Sequence, residues 1–174
     1  MGNLKGYMDN LFIRIANHED IPSIREMARR IWIPTYSDII GTEQIEYMLN
    51  LMYSEKSLTH QLDVEGCTFY ILSNGTMDLG FASISSRNPE LFRLNKLYVD
   101  TTFHGKGLGK QLLERLERHT LEEGGLILEL NVNKNNRAVK FYQSQGFEIY
   151  REEVIDIGNG FVMDDYVMRK NITL

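Results

Sequence analysis

At 174 residues, with 43% hydrophobic and 25% charged side chains, the chain has the size and make-up of one water-soluble globular domain and not of a disordered or membrane-embedded one. A formal net charge of −5 argues against nucleic-acid binding by phosphate neutralisation and suits a cationic small molecule better. The longest apolar stretches, such as Leu126-Ile127-Leu128, fall far short of the roughly 20 residues that span a bilayer, so no membrane partner is expected.

The first ten residues carry neither the apolar core of a secretory signal nor a Ser or Thr at Gly6 for myristoylation, and they read as a loose lead-in. No linker, repeat or low-complexity tract follows, so residues 1–174 are expected to form one domain. Residues 11–15 read as a strand. Pro22 then sits in the first turn of a helix with an apolar stripe of Ile21, Ile24, Met27, Ala28 and Ile31. A second helix starts at Thr42 and continues through Ile45, Tyr47, Met48, Leu51 and Met52. Cys67, the only cysteine, excludes an intrachain disulfide and lies in an apolar run with Phe69, Tyr70 and Ile71, which reads as core filling. Cytoplasm is the simplest address.

Residues 69–72 and 79–84 form a predicted hairpin through Ser73-Asn74-Gly75, and 94–99 a further strand. Leu108, Leu112, Leu113, Leu116 and Leu121 mark a helix after a glycine-rich turn, followed by a strand over 126–132. A short helix holding Ala138, Phe141 and Tyr142 stops at Gly146, and strands over 147–155 and 161–168 close the chain around Gly158-Asn159-Gly160. The expected order is βααβββαβαββ, a mixed α/β sheet with a central βαβ crossover.

The chemistry concentrates where strand 94–99 meets the turn His104-Gly105-Lys106-Gly107-Leu108-Gly109-Lys110. Glycines let the backbone approach a ligand and aim its N–H groups from a helix N-terminus, so the layout suits an anion such as a pyrophosphate. A plain tight turn would also need glycine; Lys106 and Lys110 add positive charge at the right place. This is no P-loop, because Gln111 follows Gly109-Lys110, and the next strand ends in Asn131-Val132-Asn133 where a dinucleotide fold would place an acid.

Together with Asn135-Asn136-Arg137-Ala138, Phe141-Tyr142 and Gly146-Phe147, this turn closely resembles the acetyl-CoA-binding core of the GNAT superfamily of N-acetyltransferases, over about residues 79–168. The resemblance implies a mostly antiparallel mixed sheet splayed at its middle with helices on both faces, acetyl-CoA as co-substrate, and no metal. It further implies that the backbones of Leu97, Tyr98 and Val99 pair with the pantetheine arm, that Gly105, Lys106, Gly107, Leu108, Gly109 and Lys110 hold the pyrophosphate, and that Asn135 contacts the CoA arm. Tyr142 would be the general acid at the thioester sulfur. The family has Arg or Gln where this chain has His104. Packing remains the alternative for Tyr98 and Tyr142, and helix capping for Asn135.

On the acceptor side, Trp32, Thr35, Tyr36 and Tyr47 with the late run Asp164-Asp165-Tyr166-Val167-Met168 resemble the PaiA-type spermine/spermidine acetyltransferases. A polyamine or other small-molecule amine is the implied substrate, with Trp32, Tyr36, Asn131 and Asp164 as candidate contacts, and ordinary helix-to-sheet packing is the alternative for the aromatics. The family often carries a Glu on strand 94–99, where this chain has Asn95 and Lys96, so a water held by Asn131 or Asp164 is the expected proton acceptor. A protein N-terminal acetyltransferase and a non-catalytic acyl-CoA sensor stay open as alternatives, as does a homodimer.

Overall fold

The computed structural model describes residues 10–173; residues 1–9, most of the expected lead-in, lie outside the described residues. The described residues form seven strands and five helices: β1 (Phe12–Ile15), α1 (Ile21–Tyr36), α2 (Thr42–Tyr53), α3 (Glu55–Asp63), β2 (Thr68–Ser73), β3 (Asp78–Ser86), β4 (Leu91–Val99), α4 (Leu108–Glu122), β5 (Ile127–Asn133), α5 (Ala138–Ser144), β6 (Glu148–Gly158) and β7 (Phe161–Asn171). Helix α3 is the addition to the expected order. Ser54 caps it by accepting from the Ser57 amide, but only Leu58 and Gln61 are buried along it, so it carries no apolar stripe for periodicity to detect.

All strands join one sheet in the order β1-β2-β3-β4-β5-β7-β6, antiparallel except for the β4/β5 pair. Helices α1, α2 and α3 cover one face, where Ile24, Met27, Ile31, Ile45 and Leu58 meet Phe69, Ile71 and Phe81. Helices α4 and α5 cover the other, where Leu112, Leu113, Leu116 and Tyr142 meet Leu94, Leu128 and Leu130. At about 2 kcal/mol for each fully buried large aliphatic side chain, these two cores supply the main drive for closing the sheet.

The feature that creates a site lies at the middle of the sheet. Strand β4 pairs with β5 only from Leu91 to Leu94, against Ile127 to Leu130. Between the β3 partners Ser83 and Ile84 the register jumps from Lys96 to Leu94, leaving Asn95 as a bulge. An extra residue bends the strand and increases its twist. Beyond the bulge, residues 95–99 keep β3 on one side while β5 diverges and continues along β7 as far as Asn133 opposite Asp165. A V-shaped opening results, with one bare backbone edge.

Close approach of β3 holds that bare segment in place. A Cβ on Gly80 would lie 2.6 Å from the Tyr98 carbonyl oxygen and 3.1 Å from Val99 Cα, both backbone atoms that cannot step aside. Gly80→Ala is therefore expected to destabilise the fold by about 1–3 kcal/mol, the usual range for overpacking; urea unfolding checks it, and an unchanged midpoint would mean the β3/β4 spacing is not tight.

Candidate active site

Val99 leads into a single 3-10 turn, Thr101–Phe103, closed by Asp100, whose carboxylate accepts from the Thr102 amide at 2.9 Å and its hydroxyl at 2.6 Å. Arg30 on α1 anchors Asp100 at 2.8 Å. The chain then turns through Gly105 (φ 75°) and Gly107 (φ 79°), both in the left-handed region, and α4 starts with Gly107 as an N-cap that offers no side-chain acceptor. The first helical bond runs from the Gln111 amide to the Gly107 carbonyl, so the amides of Leu108, Gly109 and Lys110 have no acceptor within the helix. With the positive end of the helix dipole behind them, they suit phosphate oxygens.

His104, where the resemblance implies Arg or Gln, bonds within its own turn. Its Nε2 donates to the Val99 carbonyl at 2.9 Å, tying the turn back onto the end of β4. Lys110 is exposed and 3.8 Å from Glu114, one helical turn along. Gly109 differs from its two neighbours: its φ is not positive, and a Cβ there would make ordinary contact with Phe141 at 3.6 Å. A strand edge without a β5 partner, closed at the Val99 carbonyl by His104 and running into an uncapped helix start, fits a ligand with an amide-rich arm and a pyrophosphate.

The V opens into a cleft lined by the β4 edge, the end of β5, the α1/α2 corner and the β6/β7 hairpin. Tyr142 reaches it from α5, with its ring held between Phe141 and Phe147 at centroid distances of 5.3 and 5.6 Å and only 6% exposed. Burial, then the nearby Tyr36, push its phenol well above the ordinary value, so it stays a neutral hydrogen-bond donor across the working range. Asn136 orders this corner, accepting from the Ala138 amide at 2.9 Å and donating to the Tyr36 hydroxyl at 3.4 Å. Tyr36 in turn lies 3.4 Å from the Tyr98 hydroxyl.

The expected acceptor-side residues divide. Trp32 and Tyr36 line the cleft, but Trp32 is 2% exposed and acts as its backing, 4.6 Å from the Tyr36 ring and 5.8 Å from that of Tyr98. Tyr47 turns away and donates to the Ile157 carbonyl at 2.7 Å, pinning α2 to the β6/β7 hairpin, and the Thr35 hydroxyl bonds back to Ile31. Asn131 is in the cleft and held there, accepting from Arg93 at 2.6 Å and donating to Glu153 at 3.1 Å. Asn135 is exposed in the turn before α5; Asn136 is the residue of that pair that faces the cleft.

Asp164 is corrected by one residue. It is exposed and ion-paired with Lys134 at 2.6 Å, whereas Asp165 is 4% exposed and lines the cleft. Alternate residues of a strand face opposite sides, so the acidic pair puts one carboxylate in each environment. Burial is the largest influence on Asp165 and lifts its carboxyl to about 6, against smaller downward pulls from Asn131 and Arg93. Lys96 bonds to Gln61 at 2.5 Å and lies over the Tyr53 and Phe69 rings; burial brings its ammonium down to about 8. Among the described residues no group of three or more His, Cys, Asp or Glu could hold a metal, and no helix is long and apolar enough to cross a membrane.

Residues 36–169 match the family model described as an acetyltransferase (GNAT) domain. The chain is 28% identical over 159 residues to the spermidine N(1)-acetyltransferase of Thermoplasma acidophilum, covering 87% of this chain and 94% of that protein. The crystal structure of the PaiA N-acetyltransferase from Thermoplasma acidophilum in complex with coenzyme A is similar at a TM-score of 0.77 and 26% identity, over 92% of this chain and 98% of that one. A ribosomal-protein alanine N-acetyltransferase from Escherichia coli shares the fold at a TM-score of 0.71 and 20% identity, over 94% and 95% of the two chains.

Proposed function

Given that the chain belongs to the acetyltransferase (GNAT) family and is an acyltransferase that N-acetylates with acetyl-CoA, we propose that its acceptor is a cationic primary amine of the polyamine class. The observation that carries this reading is Asp165, the single carboxylate among the described residues of a cleft lined by aromatic, apolar and amide side chains and by two cations, Arg93 and Lys96, whose side chains bond to Glu129, Asn131 and Gln61. Aromatic faces such as Tyr36 and Tyr98 suit an alkylammonium chain. The relative named for spermidine and the net charge of −5 support the same class. We read the chain as one catalytic domain working in the cytoplasm.

Acetyl-CoA supplies the activated acyl group. The backbone of Leu97, Tyr98 and Val99 holds its pantetheine arm as an added strand, and the amides from Gly105 to Lys110 hold the pyrophosphate. Met48, Met52 and Val162 give the acceptor side an apolar lining. Tyr142 donates to the sulfur as negative charge develops. The acceptor must give up a proton first: an alkylammonium near pKa 10.4 costs about 4–5 kcal/mol to deprotonate at pH 7.

A panel of spermidine, spermine, monoamines and N-terminal peptides, assayed with acetyl-CoA and a free-thiol readout, tests the acceptor. Polyamines are expected to exceed peptides in kcat/KM by about tenfold, the size of one desolvated cation–π contact that a second ammonium group could make with an aromatic face of the cleft. Efficient acetylation of peptides with every polyamine ignored sinks the proposal in favour of the N-terminal alternative.

A further inference from the structure

We infer that Asp165 is the proton acceptor for the attacking nitrogen, an assignment that rests on the amine-acceptor reading above. Asp165 sits on β7 opposite Asn133, at the end of β5 that has parted from β4, and it is the one carboxylate among the described cleft residues. The cations around it are committed elsewhere. Arg93 is bonded to Glu129 at 2.7 Å and to Asn131, Lys134 to Asp164 and Glu152, and Lys96 to Gln61. A buried carboxylate without a paired cation is costly, and an ammonium in the cleft is the group that would compensate it.

The step balances as follows. One proton leaves the ammonium for an Asp165 carboxylate oxygen, directly or through one water. The nitrogen lone pair forms the C–N bond, the C–S bond breaks with its electron pair going to sulfur, and the second N–H proton ends on the sulfur. Asp165 returns its proton to solvent.

The surroundings tune the group for this. Burial raises the carboxyl, Asn131 on β5 and Arg93 on β4 lower it, and Asp164 on β7 and Glu153 on β6 raise it; Tyr36 on α1 faces it as a neutral phenol. A value of about 6 leaves it mostly ionised at pH 7 and yet a stronger base than an ordinary aspartate. The sign for stability follows: the folded-state value lies above the unfolded one, so stability is lost as pH rises from about 4 through about 6.

The experiment compares Asp165→Asn with wild type on the best amine of the panel and on its analogue made less basic by fluorine beside the amine. Loss of a proton acceptor is expected to cut kcat/KM on the order of 10²-fold for the basic amine and only slightly for the weakly basic one, with acetyl-CoA affinity unchanged. Wild-type kcat/KM should show an acidic limb near pH 6 that the variant lacks. The variant should also melt at a higher temperature than wild type above pH 6 and alike near pH 4. Equal losses on both amines together with a lowered melting temperature would make Asp165 a structural residue, and a limb near pH 8 would assign the titration to Lys96; either overturns the inference. A wild-type enzyme that binds acetyl-CoA and acetylates no amine fails the acceptor reading itself, and Asp165 with it.

Discussion

Gly107→Val is expected to weaken acetyl-CoA binding by about 10²-fold or more while leaving a folded protein. Gly107 has φ 79° and caps α4 without a side chain. A β-branched residue is an outlier in that region, so the substituted turn will either carry strain of about 1–3 kcal/mol or relax to negative φ. Nothing lies within 4 Å of the position a Cβ would take, so the cost falls on the turn and not on the core. Relaxation would rotate the amides of Leu108 to Lys110, and each misdirected charge-assisted hydrogen bond to phosphate is worth about 1.5–3 kcal/mol. Calorimetric titration of acetyl-CoA, after a thermal melt has established folding, checks it. Unchanged affinity in a folded variant would remove this turn from the pyrophosphate site.

Tyr142→Phe should leave acetyl-CoA affinity nearly unchanged and lower the chemical rate on the order of 10²-fold. The ring keeps its place between Phe141 and Phe147, so only the hydroxyl is tested. A thiolate near pKa 8.5 is a weaker base than a tyrosinate near 10, and burial raises the Tyr142 phenol further. Full proton transfer to sulfur is therefore uphill. A hydrogen bond to the developing charge is what the residue supplies, worth about 2–3 kcal/mol in a site shielded from water. Because slow product release can mask such a loss, single-turnover kinetics are the measurement. An unchanged single-turnover rate would leave Tyr142 as packing. No activity limb below pH 10 should belong to this phenol, since its value is raised and not lowered.

The sequence by itself determined the features that rest on local chemistry. The left-handed Gly105 and Gly107 before α4, the turn Gly158-Asn159-Gly160 between β6 and β7, Pro22 at the start of α1 and the stop at Gly146 all follow from which residues tolerate which backbone angles. The run from Asn135 to Phe147 carried the family resemblance, and with it the mostly antiparallel splayed sheet. Strand parity was out of reach, because Asp164 and Asp165 are chemically alike and only pairing with β5 and β6 decides which of them faces the cleft. Helix α3 was hidden because its contacts are few, and the bulge at Asn95 because no residue there forces one. Tertiary structure alone also spent Tyr47 on the β6/β7 hairpin, Lys96 on Gln61 and His104 on the Val99 carbonyl. Each of these depends on a partner distant in the chain or on the other side of a turn, and burial, which only the tertiary structure decides, is what lifts the Asp165 carboxyl to about 6.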